Sequence, residues 1–214
     1  MRMAQNLLYC LGIRNKVMAI VNPEKDLKSS ELQKLAELFN ETLGFCPNSV
    51  LTMQKKPDLA EAFVNLNIAV MKNNGSITSE QKRLFAFLSS STTGCRYCQA
   101  HTLLAAKRYG STKKRLESIW DFENQDCFTE AEKVAFRFVI AASKVPVVVT
   151  QTIESDMKAH WSDDEIVEIM SVIALFGYLN RWNDVMGTTL EDDAISFASK
   201  NISNWSIGKH SPIE

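Results

Sequence analysis

The sequence predicts an all-α protein that folds as one compact helical domain. Apolar residues recur at helical spacing along most of the 214-residue chain, with capping residues before the apolar stripes and glycines after several of them. Eight glycines and five prolines are few for a loop-rich or fibrous chain, and a content of 45% hydrophobic and 23% charged residues argues against disorder. One short β-branched stretch, residues 145–150, cannot form a sheet by itself.

The first helices are predicted from paired start and stop signals. A helix with Ser30 as its N-cap carries an apolar stripe that ends at Gly44. After a turn at Pro47, Pro57 opens a second helix, which ends at residues 73–75, Asn-Asn-Gly. These signals place two helices before the middle of the chain.

The next helix starts at Thr78, where Gln81 has the spacing of a capping box. This helix leads through the small polar run SSSTTG into GCRYCQAHT, and the helix that follows stops at Gly110. The stretch 145–150 is interpreted as a helix turn or a buried connector, and the last long helix is too apolar to lie on a surface. Further helices are predicted over residues 113–122, 129–143, 151–160 and, starting at Asp163 or Asp164, up to residue 184.

Charge and hydropathy exclude several classes of protein. The formal net charge is -1 and no long basic run is present, so we expect no nucleic-acid partner. No stretch approaches the roughly 18 apolar residues of a membrane helix, and Arg14 and Lys16 interrupt the short apolar start without a clean cleavage site. We therefore expect a soluble, cytoplasmic protein without a membrane partner.

Cys95, Cys98 and His101 are spaced three residues apart and would lie near one face of a helix. A thiol in the first turn of a helix meets the positive end of the helix dipole, which favours the thiolate, and a nearby imidazole can exchange its proton. These residues supply at most three zinc ligands, one fewer than a structural zinc site needs. Redox chemistry is the favoured interpretation, with zinc binding and unreactive buried cysteines as the alternatives.

The segment TSEQKRLFAFLSSSTTGCRYCQAHT resembles the core motif of the alkylhydroperoxidase D-like, carboxymuconolactone decarboxylase family. Two further blocks, GFCPNSVLTMQKKPDLAEAF and FGYLNRWNDVMGTTLE, are typical of the peroxidase-related branch of that family. The resemblance covers about residues 18–191. It leaves residues 1–17 as an N-terminal extension and residues 192–214 as a weakly specified C-terminal tail.

The resemblance implies an all-helical homo-oligomer, a trimer or a hexamer, that reduces a hydroperoxide or a disulfide without haem, flavin or metal. By the same resemblance Cys98 attacks the peroxide and Cys95 resolves the sulfenic acid as a disulfide. An external dithiol or a protein reductant then reopens that disulfide. His101 and a carboxylate would relay the proton.

One position departs from the pattern of the family. Well-known members carry the relay carboxylate twelve residues before the first cysteine, where this chain has Arg83, so we expect Glu80, one helical turn earlier, to serve instead. Arg83 could alternatively stabilise the thiolate by its charge. A redox-inactive oligomeric scaffold is the alternative that Arg83 suggests. The lyase chemistry of the family is a weaker alternative, because those members do not depend on a pair of cysteines.

Overall fold

The computed structural model describes residues 19–73 and 75–212 of the chain. These residues form ten α-helices and two short 3₁₀ helices, with no β-strand among them. The predicted all-α class is confirmed. The 3₁₀ helices cover Ile119–Asn124 and Gly208–His210, and the α-helices are α1 Ser30–Leu43, α2 Asn48–Met53, α3 Pro57–Met71, α4 Ser79–Thr93, α5 Arg96–Arg108, α6 Lys113–Ser118, α7 Glu130–Ser143, α8 Gln151–His160, α9 Asp163–Met186 and α10 Asp192–Asn201.

Helix α4 lies at the centre of the fold. It packs against α5, α7 and α9, and residues 82–90 are all buried. Its start is fixed by the predicted capping box, in which the Thr78 side chain accepts a hydrogen bond from the Gln81 amide and the Gln81 side chain accepts one from the Thr78 amide. The N-cap of α9 is Ser162 rather than Asp163 or Asp164, and it forms the same kind of box with Glu165.

Gly94 joins α4 to α5 in a single tight reversal. Its φ of 82° lies in the left-handed region, which an L side chain adopts only at a cost, although a Cβ added there would meet nothing within 4 Å. Cys95 follows at once as the N-cap of α5, and its amide donates a 3.0 Å hydrogen bond to the carbonyl of Ser90. The glycine before the cysteine pair is therefore what lets the two helices pack side by side.

The segments after α7 and α9 differ from their predictions. Val145 is 84% exposed, so the stretch 145–150 is an exposed connector and the expected burial is wrong. Residues 192–201 form α10, which packs against α5 through the fully buried Ala194 and Ala198, and the Leu190 amide donates to the His210 carbonyl. The C-terminal segment is thus an ordered layer on the cysteine-bearing helix rather than a weakly specified tail. The proposed extension, residues 1–17, lies outside the described residues.

The core opposite the cysteines is built around Phe136. This side chain is fully buried and makes edge-on contacts with Phe85, Phe122 and Phe128, at centroid distances of 5.8, 5.2 and 5.2 Å. No helix within the described part of the chain has both the length and the apolar character needed to cross a bilayer.

Replacing Phe136 with alanine should lower the free energy of unfolding by about 3–5 kcal/mol, because it leaves a cavity among three aromatic rings. Urea titration followed by circular dichroism measures the loss. The matched control is Val167→Ala on the 65% exposed side chain of α9, which should change stability by no more than about 0.5 kcal/mol. A loss below about 1 kcal/mol for Phe136→Ala would show that this cluster does not anchor the core.

Candidate active site

The cysteine pair occupies the start of α5. Cys95 is the N-cap and Cys98 lies in the first turn, both as free thiols with 1% and 2% of their surface exposed. His101 follows one turn later on the same helix and is also buried. The structure therefore brings together the three residues that their spacing predicted.

The sulfur of Cys98 has a polar partner on another helix. The Nδ2 group of Asn183, near the end of α9, donates to Cys98 Sγ at 3.4 Å. Burial raises the pKa of the Cys98 thiol well above its ordinary value, and a hydrogen bond with Cys95 raises it further, while the bond from Asn183 acts in the opposite direction. Burial therefore acts against the thiolate that the helix start was expected to favour.

His101 is fixed in one orientation by its neighbours. Its Nδ1 donates to the carbonyl oxygen of Tyr97 at 2.8 Å, and its ring stacks on the Tyr97 ring at a centroid distance of 4.2 Å. The other nitrogen, Nε2, lies 2.8 Å from Oε2 of Glu191, although neither atom has an aligned hydrogen-bond partner. His101 and Glu191 therefore form a largely buried acid–base pair beside Cys98.

Glu191 is held by three residues from two helices. Its Oε1 accepts hydrogen bonds from the Asn48 amide at 2.5 Å and from the Tyr97 hydroxyl at 3.0 Å, while Oε2 faces His101. The Tyr97 hydroxyl in turn accepts from the Ser49 amide at 3.2 Å. The carboxylate is thus positioned by the start of α2 and by α5, although it lies beyond the end of α9.

Glu80 does not reach His101, and the prediction that it would serve as the relay carboxylate is wrong. Arg115 of α6 binds it with two hydrogen bonds, from Nε to Oε1 at 2.9 Å and from Nη2 to Oε2 at 3.1 Å. The same guanidinium contacts Glu132 of α7 at 2.6 Å. Glu80 therefore ties α4 to two neighbouring helices, and the carboxylate that contacts His101 is Glu191.

A cavity of about 80 Å³ opens beside Cys98 and His101. On this measure one water needs about 10–15 Å³, so the cavity has room for several waters or for a small organic ligand. Cys95 is not part of the lining. The polar side chains on the wall are Thr42, Ser49, Asn67, Arg83, Tyr97, His101, Thr102 and Asn183. The apolar side chains on the wall are Phe39, Leu43, Val50, Phe63, Met71, Phe176 and Leu179.

The other three cysteines of the chain are not part of the pair. Burial, together with the charge of Glu191, raises the pKa of Cys46 to about 12. Cys127 is partly buried before α7, and Cys10 lies outside the described residues. Within residues 19–73 and 75–212, no three His, Cys, Asp or Glu side chains are arranged to hold a metal ion.

The closely matching solved structures include a cysteine-to-alanine variant of the debrominase Bmp8 in complex with 2,3,4-tribromopyrrole. It is 30% identical to this chain, with a TM-score of 0.81, and the match covers 87% of this chain and 99% of that one. The family model of the carboxymuconolactone decarboxylase family matches residues 57–141, which contain Cys95, Cys98 and His101. The chain belongs to the carboxymuconolactone decarboxylase family.

More distant relatives agree with this assignment. The alkylhydroperoxidase AhpD core of an uncharacterized peroxidase-related protein from Ralstonia eutropha JMP134 is 17% identical, with a TM-score of 0.68, covering 81% of this chain and 94% of that one. At that identity the likeness establishes a shared fold, the alkylhydroperoxidase D-like fold. The uncharacterized protein YnjA of Escherichia coli K12 is 28% identical over 93 residues, which is 43% of this chain and only half of the length of YnjA.

Glu191 and Asn183 were not among the site residues predicted from the sequence. The block FGYLNRWNDVMGTTLE, typical of the peroxidase-related branch, contains Asn183 and ends at Glu191, so a signal for both was present. The amide of Asn183 contacts Cys98, and Glu191 contacts His101.

Proposed function

We propose that this protein is a thiol-dependent reductase in which the Cys95 and Cys98 thiols together give two electrons to a small apolar substrate in the cavity. The observation that carries the proposal is that Cys98 borders an apolar cavity whose wall also includes His101, the partner of Glu191. A dithiol reduction needs an attacking thiol, a second thiol that resolves the intermediate, and an acid–base group that transfers a proton.

For a hydroperoxide substrate the step balances as follows. Cys98 Sγ attacks the outer peroxide oxygen, the O–O bond breaks, and the thiol proton passes to the departing alkoxide, giving a sulfenic acid and an alcohol. Cys95 then attacks the Cys98 sulfur and releases water as the disulfide forms. An external dithiol restores both thiols by exchange. This first step moves one proton from sulfur to oxygen. We assign its transfer to the His101–Glu191 pair, because His101 lines the same cavity as Cys98.

The location of Cys98 supports its role as the attacking thiol, because Cys98 lines the cavity and Cys95 does not. Assembly into a homo-oligomer and a cytoplasmic location remain predictions from the sequence.

A halogenated aromatic compound is the second candidate substrate, and the similarity to the debrominase Bmp8 supports it. This reaction also takes two electrons from the two thiols. An aryl bromide and two thiols give the arene with hydrogen in place of bromine, one disulfide, one bromide ion and one proton. Both candidates therefore use the same pair of cysteines and differ only in the bond that breaks.

The test is to mix the reduced protein with one equivalent of cumene hydroperoxide, or separately of tribromopyrrole, and to block the remaining thiols with iodoacetamide. Trypsin cleaves after Arg96, so a Cys95–Cys98 disulfide links the peptides 84–96 and 97–107, and the mass of the linked product is the sum of the two less two hydrogens. We expect this linked species within seconds with at least one substrate, and its loss after dihydrolipoamide. If both peptides carry iodoacetamide while Cys127 oxidises slowly, the proposal is wrong and the scaffold alternative stands.

A further inference from the structure

Arg83 is a buried cation without an acidic partner. It is 4% exposed on α4, and its Nη1 donates to the carbonyl oxygens of Ser79 at 3.0 Å and Met71 at 3.4 Å. Its guanidinium lies 3.8 Å above the centre of the Tyr109 ring. Across the described part of the chain no carboxylate forms an ion pair with it, and its buried Nε has no hydrogen-bond partner.

The preceding residue on the same helix is also a buried cation, but it has a carboxylate partner. Lys82 is 1% exposed, pairs with Glu168 at 2.6 Å and also donates to the carbonyl oxygens of Val70 and Lys72. A buried cation left without a counter-charge is costly, and burial lowers the pKa of Arg83 to about 10 while leaving it protonated at neutral pH. Arg83 therefore lacks a negatively charged partner of the kind that Lys82 has in Glu168.

Arg83 contacts backbone carbonyls and the Tyr109 ring, whereas the polar partner of the Cys98 sulfur on another helix is Asn183. Arg83 lies instead on the wall of the cavity, among apolar side chains, together with Cys98 and His101. A ligand in the cavity would thus meet one fixed positive charge, an apolar interior and the thiol.

We propose that the cavity selects substrates that carry a carboxylate, which binds Arg83 while an apolar body of the substrate presents its reducible group to Cys98. This inference rests on the proposed function of the cavity as the substrate site and adds the substrate class, an apolar organic acid. The planar guanidinium suits a carboxylate because its N–H groups can donate two parallel hydrogen bonds. A hydroperoxy acid and a halogenated aromatic acid both belong to this class.

The test measures binding apart from redox chemistry. In the double variant Cys95→Ser, Cys98→Ser, which cannot form the disulfide, isothermal titration compares hexanoate with 1-hexanol, two ligands of equal chain length. We expect hexanoate to bind at least about tenfold more tightly, as a charge-assisted hydrogen bond in a buried site implies. Arg83→Met in the same background should bring the ratio of the two dissociation constants close to one, whereas Arg83→Lys should keep a preference for the acid.

Two outcomes overturn the inference: equal binding of hexanoate and hexanol to the double variant, or an unchanged preference for hexanoate in a folded Arg83→Met protein. If Arg83→Met does not fold, the comparison of the two ligands with Arg83 present still decides. The proposed function fails in a different experiment, the peptide mass measurement, if no Cys95–Cys98 disulfide forms after oxidation. The two failures can therefore be told apart.

Discussion

Replacing Cys98 with serine is expected to lower peroxide-dependent turnover by roughly 1000-fold or more, because no other described thiol borders the cavity. A serine hydroxyl at this buried position can neither attack a peroxide oxygen nor form a disulfide. The measurement is the consumption of cumene hydroperoxide at steady state with dihydrolipoamide as the reductant. Retention of more than a tenth of the turnover would assign the attack to another group.

Two further variants separate chemistry from packing. Cys127→Ser changes a partly buried thiol before α7 and should leave turnover within about twofold. Cys95→Ser should still consume about one equivalent of peroxide in a burst and then stop, because the sulfenic acid on Cys98 has no partner thiol. A full cycle in Cys95→Ser would show that an external thiol resolves the intermediate directly.

The second large effect is expected at Glu191. In Glu191→Gln the side-chain oxygen can still accept a hydrogen bond from the Asn48 amide. The carboxylate beside His101 is lost, so the imidazole no longer has an acid–base partner. Positioned acid–base groups contribute about 10²–10⁴-fold, so kcat/KM should fall by roughly that factor. Steady-state kinetics with cumene hydroperoxide and dihydrolipoamide measures the loss, and a change of less than threefold would show that Glu191 does not assist the reaction.

Glu80→Gln is the matched control, since it removes the same charge from the carboxylate that the sequence favoured. Its contacts are to Arg115 rather than to the site, so kcat/KM should stay within about twofold while the protein becomes less stable to urea. The opposite pattern, with a large loss of activity in Glu80→Gln and none in Glu191→Gln, would restore Glu80 as the relay.

The features predicted correctly from the sequence are those that depend on neighbours within one helical turn. The capping box at Thr78 and the placement of Cys95, Cys98 and His101 on one helix are both set by spacings of three or four residues. Contacts at such separations follow from helix geometry alone. The fold class and the cysteine site could therefore be predicted before the packing was known.

The carboxylate that contacts His101 could not be predicted in this way, because its contacts join distant parts of the chain. Glu191 meets Tyr97 across 94 positions and Asn48 across 143, separations at which no local pattern exists. Glu80 had a plausible spacing before the motif, but Arg115, 35 residues away, binds it instead. Spacing along a helix shows on which face a side chain lies, but not which residue from elsewhere in the chain contacts it.

The position of Glu191 also has a consequence for the order in which the protein acquires its chemistry during synthesis. Residues 57–141, which match the family, hold both thiols and His101, but the carboxylate lies 50 residues beyond them. A chain growing from its N-terminus therefore emerges with both thiols well before the carboxylate that contacts His101. Until α9 is complete and the following segment docks, neither the hydrogen bond from Asn183 to Cys98 nor the contact of Glu191 with His101 can form.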